Sequence, residues 1–499
     1  MKKNASIIVL TITLLSAPLL AAEFKPTWES LSRHESAPEW FKDAKFGIYF
    51  HWGVYSVPAF GSEWYPRNMH IKKNREYKHH VETYGEPTKF GYHDFVPQFK
   101  AEKFDAAQWA DLFVKAGARF AGPVAEHHDG FSMWASKLTP WNAKDKGPRR
   151  DITGELAQAI RKRGMKFVTT FHHARNNLYE KERRGGVNWT GHYEFVKKDF
   201  PSLLDNKENA ILYGYMPREE FLQLWKGKLT EVIDNYQPDL MWFDSWLDEI
   251  PDEVKMEYLA YYFNQAQKWN KEVVVTYKQK DLPSNVGVLD LEKSRMDQKT
   301  DFYWLTDDTI SLGSWCYTQN LRIKSTKRVL HSLIDIASKN GVLILNISPK
   351  ADGTIPEEQR KVLIETGQWL AVNGEAIYNT RTWYTLGEGP TGKDLPKSHF
   401  GGVADPKAGY SPEDIRYTQS KDGKTIYAIA LGRPNASKGM VLTSFAANKL
   451  PTTISVADVS VLETGEKITT TRDERGLILT APKSKVNDLA VVFKISIQE

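Results

Sequence analysis

The sequence predicts an α/β chain, built as a (β/α)8-like, TIM-type barrel followed by a C-terminal antiparallel β-sandwich. Three observations predict it. Between about residues 40 and 350, short β-branched or aromatic runs alternate with helical patterns, the grammar of βαβ units and a parallel sheet. No G-x-G-x-x-G follows an early strand; polar clusters stand instead at the carboxyl ends of several strands, the rim where closed barrels build their sites. From about residue 381, "TIYAIAL", "TTISVADVSVL" and "LAVVFKISI" are separated by Gly, Pro, Asn and Lys-rich turns, which reads as a small sandwich.

Residues 1–22 read as a targeting signal. Lys2 and Lys3 precede the apolar run from Ile7 to Leu15, and Ala21 and Ala22 offer a small-residue cleavage site. The run is shorter than the roughly 20 residues that span a bilayer, and no comparable run follows. The expectation is an exported protein, periplasmic or secreted, with no membrane span. Residues 23–380 are then assigned to the barrel and 381–499 to the sandwich.

Within the barrel, "DAAQWADLFVKAGARF" opens with an N-cap, Asp105. It places Ala106, Trp109, Ala110 and Phe113 on one helical face and stops at Gly117. "ELAQAIRKRGM" repeats the pattern, with Gly164 as its stop and "KFVTTFHHAR" as the next strand. "REEFLQLWKGKLTEVIDNYQ", followed by Pro238 and "DLMWFD", is a third such unit.

Composition narrows the function. With 499 residues, 41% hydrophobic and 12% aromatic, the chain suits a large globular protein of two or three domains. Its 67 Lys and Arg against 62 Asp and Glu give a net charge of +5 without long runs, which argues against nucleic acid as a partner. The single cysteine, Cys316, rules out an intrachain disulfide, so stability rests on core burial. Sixteen tryptophans supply flat faces of the kind that stack on sugar rings, although most tryptophans in any protein are core residues. A homo-oligomer is compatible with one chain, which does not reveal its order.

Asp244, between Trp242 and Trp246, ends an apolar run. In mid-strand of a parallel sheet a carboxylate would be very costly, whereas at the carboxyl end it faces the barrel mouth. Capping of the next helix is the plain alternative for one strand-end aspartate. Here it has company. "KFGIYFHWGVYSVPAFGSEWYPRNM" supplies His51, Glu63 and Trp64, "AEHHDGF" supplies His127 and His128, and "TTFHHAR" supplies His172 and His173. A metal site is disfavoured because neighbours on a strand point to opposite faces, separating His127 from His128, and no H-x-H or H-E-x-x-H occurs. No G-x-S-x-G serves an esterase. A glycosidase needs two carboxylates. In "VLDLE", Asp290 and Glu292 share one strand face and Leu289 and Leu291 the other, which makes Glu292 the second candidate; a surface ion pair is its alternative.

Taken in order, "FGIYFHWGVYSVP", "SEWYPRNM", "HHDGF", "WFD" and "SKNGVLILNISPKADGTIP" leading into "NGEAIYNTRTW" resemble the α-L-fucosidases of glycoside hydrolase family 29 over roughly residues 40 to 385. The resemblance implies a barrel and sandwich that remove terminal α-L-fucose with retention, from oligosaccharides or polysaccharides, without metal or other cofactor. It assigns Asp244 as nucleophile and Glu292 as acid/base. It also implies fucose contacts from His51, Glu63, Trp64, His127, His128, His172 and Trp242, with Trp315 of "SWCY" among the tryptophans expected to cover the sugar. Glu126 and Cys316 depart from the commoner family residues and are expected to alter the subsite beyond fucose. A carbohydrate-binding protein without catalysis, or a related glycosidase acting on α-L-galactosides, are the competing readings.

Overall fold

The structure, a computed structural model, describes residues 22–183, 186–391, 395–398, 401–450 and 455–498. All but the last residue of the expected signal lie outside them. Eight parallel strands close into a barrel: β1 (Phe46–Phe50), β2 (Phe120–Glu126), β3 (Lys166–Phe171), β4 (Leu240–Phe243), β5 (Val274–Lys278), β6 (Val288–Asp290), β7 (Trp304–Thr309) and β8 (Gly341–Ile347). They pair in chain order, and β8 returns to β1 with Phe46 opposite Leu343.

The helices form where caps and periodicity place them. Asp105 accepts from the N–H groups of Ala107 and Gln108 and starts α1 (Ala106–Lys115), whose Trp109, Ala110 and Phe113 are buried. Gly117, at φ 87°, ends it as expected. α2 (Ile152–Lys162) starts at Asp151, α3 (Arg218–Tyr236) ends at Gln237 in the left-handed region, and α4 (Asp252–Lys268) joins β4 to β5. The βαβ alternation then lapses, because no helix separates β5 from β6 or β6 from β7. Among the described residues no helix is long and apolar enough to cross a membrane.

Most barrel strands carry apolar residues on both faces, while β6 and β7 also bury Asp290, Asp307 and Asp308. Phe120, Val124, Val168, Leu240, Val274, Leu305 and Val342 fill the barrel interior. Ala121, Phe167, Met241, Val275 and Leu343 pack outward against the helices. Gly122 is required at its position, since a Cβ there would stand 1.7 Å from the Val168 carbonyl oxygen.

Beyond α6 (Glu357–Asn373), the chain forms two antiparallel sheets, one five-stranded and beginning at Thr380, the other three-stranded. They share one core that includes Trp383, Tyr417, Leu442, Leu477 and Phe493. The junction with the barrel is polar as well as apolar. Arg295, three residues past Glu292, pairs with Val403 through two backbone hydrogen bonds of 3.0 and 2.8 Å. Its guanidinium bonds Asp405 and lies 3.3 Å from Asp335 on α5 (Thr326–Ala337). Asp335 also meets Arg416 of the larger sheet at 2.5 Å.

Candidate active site

The carboxyl ends of the barrel strands surround a cavity of about 360 Å³, lined by Asp244, Glu292, His51, Glu63, Trp64, His127, His128, His172, Trp242 and Trp315; His173 is turned away and stacks on Trp225. The strands themselves deliver most of them. His51 directly follows β1, His127 and His128 follow β2, His172 follows β3, and Asp244 follows β4. Glu292 lies two residues past β6 and lines the cavity, Asp290 is buried on the same side near Lys278, and Leu291 packs into the outer core. The strand alternation expected for "VLDLE" holds.

At the floor, one cation organises the acids. Lys278, the last residue of β5, is buried and places Nζ 3.1 Å from Asp244 Oδ1 and 2.7 Å from Glu292 Oε2. Since 3.1 and 2.7 Å sum to 5.8 Å, these two carboxylate oxygens are no more than 5.8 Å apart. Burial would raise the Asp244 carboxyl, but the Lys278 charge and the nearby His128 outweigh it and hold the group well below the usual range. His128 Nε2 lies 3.3 Å from Asp244 Oδ2. Glu292 goes the other way: burial, helped by Asp307 and Asp244 and opposed by Lys278, pushes it up to about 7. Burial and Asp307 also drive Asp290 upward, so it holds its proton beneath the pair while accepting the Asp307 N–H at 2.9 Å. Two rim carboxyls thus differ in protonation at neutral pH, one anionic and one able to donate.

Opposite them stands a group of neutral imidazoles. Burial lowers His51 to about 3, and His127 and His172 fall well below the ordinary histidine value for the same reason. Asn346 fixes the His51 tautomer. Its amide nitrogen donates to Thr309 Oγ1 and to the Trp315 carbonyl, which leaves its oxygen to accept from His51 Nδ1 at 2.8 Å. His51 Nε2 is therefore an acceptor. Glu63 accepts from the Trp315 N–H at 3.0 Å and from Ser314 Oγ at 3.1 Å, tying two loops together beside the cavity.

Three expectations are corrected. His127 and His128 do not diverge onto opposite faces: both lie past the end of β2, where strand alternation no longer applies, and both line the cavity. Glu126 does not reach the site. The β2–β3 register shifts between Val124 and Glu126, and the Glu126 side chain turns outward to Lys228 of α3, 2.6 Å away, and to Ser132 Oγ at 2.5 Å. Cys316 is buried beside Ser314, and neither it nor Glu126 lines this cavity.

The sequence reading missed Lys278, Arg175 and Trp246, all of which line the cavity. Lys278 had a signal, since it ends the apolar run "VVVTYK" as Asp244 ends its own. Trp246 adopts φ 89°, a conformation rare for a bulky residue, with the Arg175 guanidinium 3.9 Å above its ring and 4.9 Å from that of Trp64.

A closed β/α barrel with two differently protonated carboxyls among aromatic and neutral hydrogen-bonding groups defines a glycoside hydrolase. A family profile described as Alpha-L-fucosidase matches residues 12–375. The plasma alpha-L-fucosidase of Homo sapiens is 32% identical over 429 residues, covering 84% of this chain and 81% of its own. The tissue alpha-L-fucosidase of Rattus norvegicus is 32% identical over 392 residues, covering 77% of this chain and 78% of its own. The crystal structure of Thermotoga maritima alpha-fucosidase in complex with fucose superposes with a TM-score of 0.73 at 29% identity, over 95% of this chain and 100% of that one. The chain belongs to the α-L-fucosidase family.

Proposed function

We propose that this protein is a retaining exo-α-L-fucosidase that hydrolyses terminal α-L-fucose from oligosaccharides or glycans by double displacement. The observation that carries this reading is the Lys278 bridge, which limits the facing oxygens of Asp244 and Glu292 to 5.8 Å, from 3.1 and 2.7 Å contacts. Retaining enzymes hold their carboxyls about 5–5.5 Å apart, whereas inverting ones need about 6.5–9.5 Å to admit water between.

Asp244, anionic, attacks the anomeric carbon as Glu292 gives its proton to the departing glycosidic oxygen. A covalent glycosyl-enzyme results. Glu292, now ionised, takes a proton from water, which attacks the same carbon and releases fucose with its α configuration. His51 Nε2 accepts from a sugar hydroxyl, and His127, His128, His172 and Glu63 supply the remaining polar contacts. Trp64, Trp242 and Trp315 cover the ring and its C6 methyl. An α-L-galactoside adds one hydroxyl at C6, which an apolar wall rejects only weakly, by about a hundredfold. The presence of both carboxyls in their required states weighs against a binding protein without catalysis. Residues 23–380 carry the catalysis, and the signal-like residues 1–22 support export to the periplasm or beyond.

The test is incubation with p-nitrophenyl α-L-fucoside, followed by NMR of the first-formed sugar. Nitrophenol release with α-fucose appearing first supports the reading. The β anomer first, or binding without release, refutes it.

A further inference from the structure

Three imidazoles on the cavity floor make a second kind of site. His51, His127 and His172 come from the ends of three adjacent strands, β1, β2 and β3, and all are buried. Their ring centroids are 5.3, 5.0 and 4.4 Å apart. Three imidazoles on one tetrahedral ion, with bonds of about 2.0–2.1 Å, have centroids roughly 5 Å apart. One ring nitrogen from each lies within 4.8 Å of the others. Ring rotation needs to draw these nitrogens to roughly 3.3 Å for tetrahedral closure.

We propose that His51, His127 and His172 form a facial three-histidine site for a borderline divalent cation such as Zn²⁺, and that filling it excludes the sugar. The surroundings fit such an ion. Asn346 holds His51 by Nδ1, the outer-shell contact that fixes a ligating ring with its other nitrogen free. The Nδ1 atoms of His127 and His172 are buried with no hydrogen-bond partner in the structure. His128 takes no part because its Nε2 faces Asp244 at 3.3 Å. The fourth position of the ion opens on the cavity that the fucose ring would occupy, which makes binding of the two mutually exclusive. This exclusion rests on the proposed function; the metal site itself does not.

The experiment titrates metal-free, tag-free mature protein with ZnCl₂ by calorimetry and with CoCl₂ by visible absorption. Wild type is compared with His51→Gln and His172→Gln, each checked for a native melting transition. The expected result is one strong ion per chain, bound at least about tenfold more weakly in either variant. Free L-fucose should weaken Zn²⁺ binding in proportion to its concentration, and Zn²⁺ should raise KM for the aryl fucoside without lowering kcat. No binding at millimolar Zn²⁺, or binding equal in wild type and both variants, overturns the site. Histidine-dependent binding that L-fucose leaves unchanged overturns the exclusion. Turnover of the aryl fucoside by the metal-free enzyme tests the proposed function separately.

Discussion

Glu292 Oε2 accepts a 2.7 Å hydrogen bond from Lys278 Nζ, and the same nitrogen stands 3.1 Å from Asp244 Oδ1. One buried ammonium therefore fixes the spacing of the two acids and favours the ionised form of both, while burial with Asp307 and Asp244 raises Glu292 above its partner. Burial alone would lower its proton affinity, but Asp307, Asp244 and Glu292 outweigh this and keep it charged.

Replacing it should move the whole pH profile. Activity in this scheme needs Asp244 ionised and Glu292 protonated. In Lys278→Met both carboxyls lose a cation that favoured ionisation, so both limbs of the kcat/KM profile should shift to higher pH. We expect kcat to fall about a hundredfold or more. Limbs unchanged within error would assign Lys278 a purely structural role.

Asp244→Gly should lower kcat by about 10⁴ or more. Azide, small enough to enter the vacated space, should restore part of the rate and yield a fucosyl azide. A fluorinated fucosyl analogue should label Asp244 in the wild type, as read by peptide mapping. Wild-type turnover in the glycine variant, or a label elsewhere, removes Asp244 from the role of nucleophile.

For Glu292 the discriminating variable is the leaving group. A nitrophenol departs with little protonation, so Glu292→Ala should lose far less in the first step on the aryl fucoside than on a fucosyl disaccharide. Because the carboxyl titrates near 7, wild-type kcat/KM should decline as pH rises through about 7, and the variant should lack that limb. Equal losses on both substrates, with the limb retained, would point to a structural role.

The outward turn of Glu126 has its own test. Its ion pair with Lys228 is buried on both sides and lies outside the cavity. Lys228→Met should destabilise the fold by about 3–5 kcal/mol, seen in chemical denaturation, while leaving kcat/KM near wild type. A changed preference among fucosides in a variant that still folds would restore Glu126 to the subsite.

Much of this was legible in the chain because the signals were local. The cap at Asp105 and the glycines at 117 and 164 mark helix ends by backbone chemistry that operates within a few residues. Asp244 and Glu292 were found because a carboxylate after an apolar strand has few inexpensive places to go. Parity failed where the backbone left ideal geometry: a one-residue register shift in β2 sent Glu126 outward, and no residue pattern announces such a shift. Lys278 escaped notice because a lysine after a strand is ordinarily a solvated surface residue, and its partners come from β4, β6 and β7. That His51, His127 and His172 face one rim was legible from their strand ends, but the close approach of the three rings, with centroids 5.3, 5.0 and 4.4 Å apart, comes from the side-by-side pairing of β1, β2 and β3.

The junction between barrel and sandwich has a practical consequence. Asp335 belongs to a barrel helix, yet one of its counter-ions, Arg416, is carried by the following sheet, and Arg295 in turn depends on Asp405. Cutting the chain after the barrel would strand both groups in a dry environment. Anyone shortening this enzyme or grafting it onto another scaffold should treat the two regions as one indivisible module, with Asp405 and Arg416 kept in any hybrid.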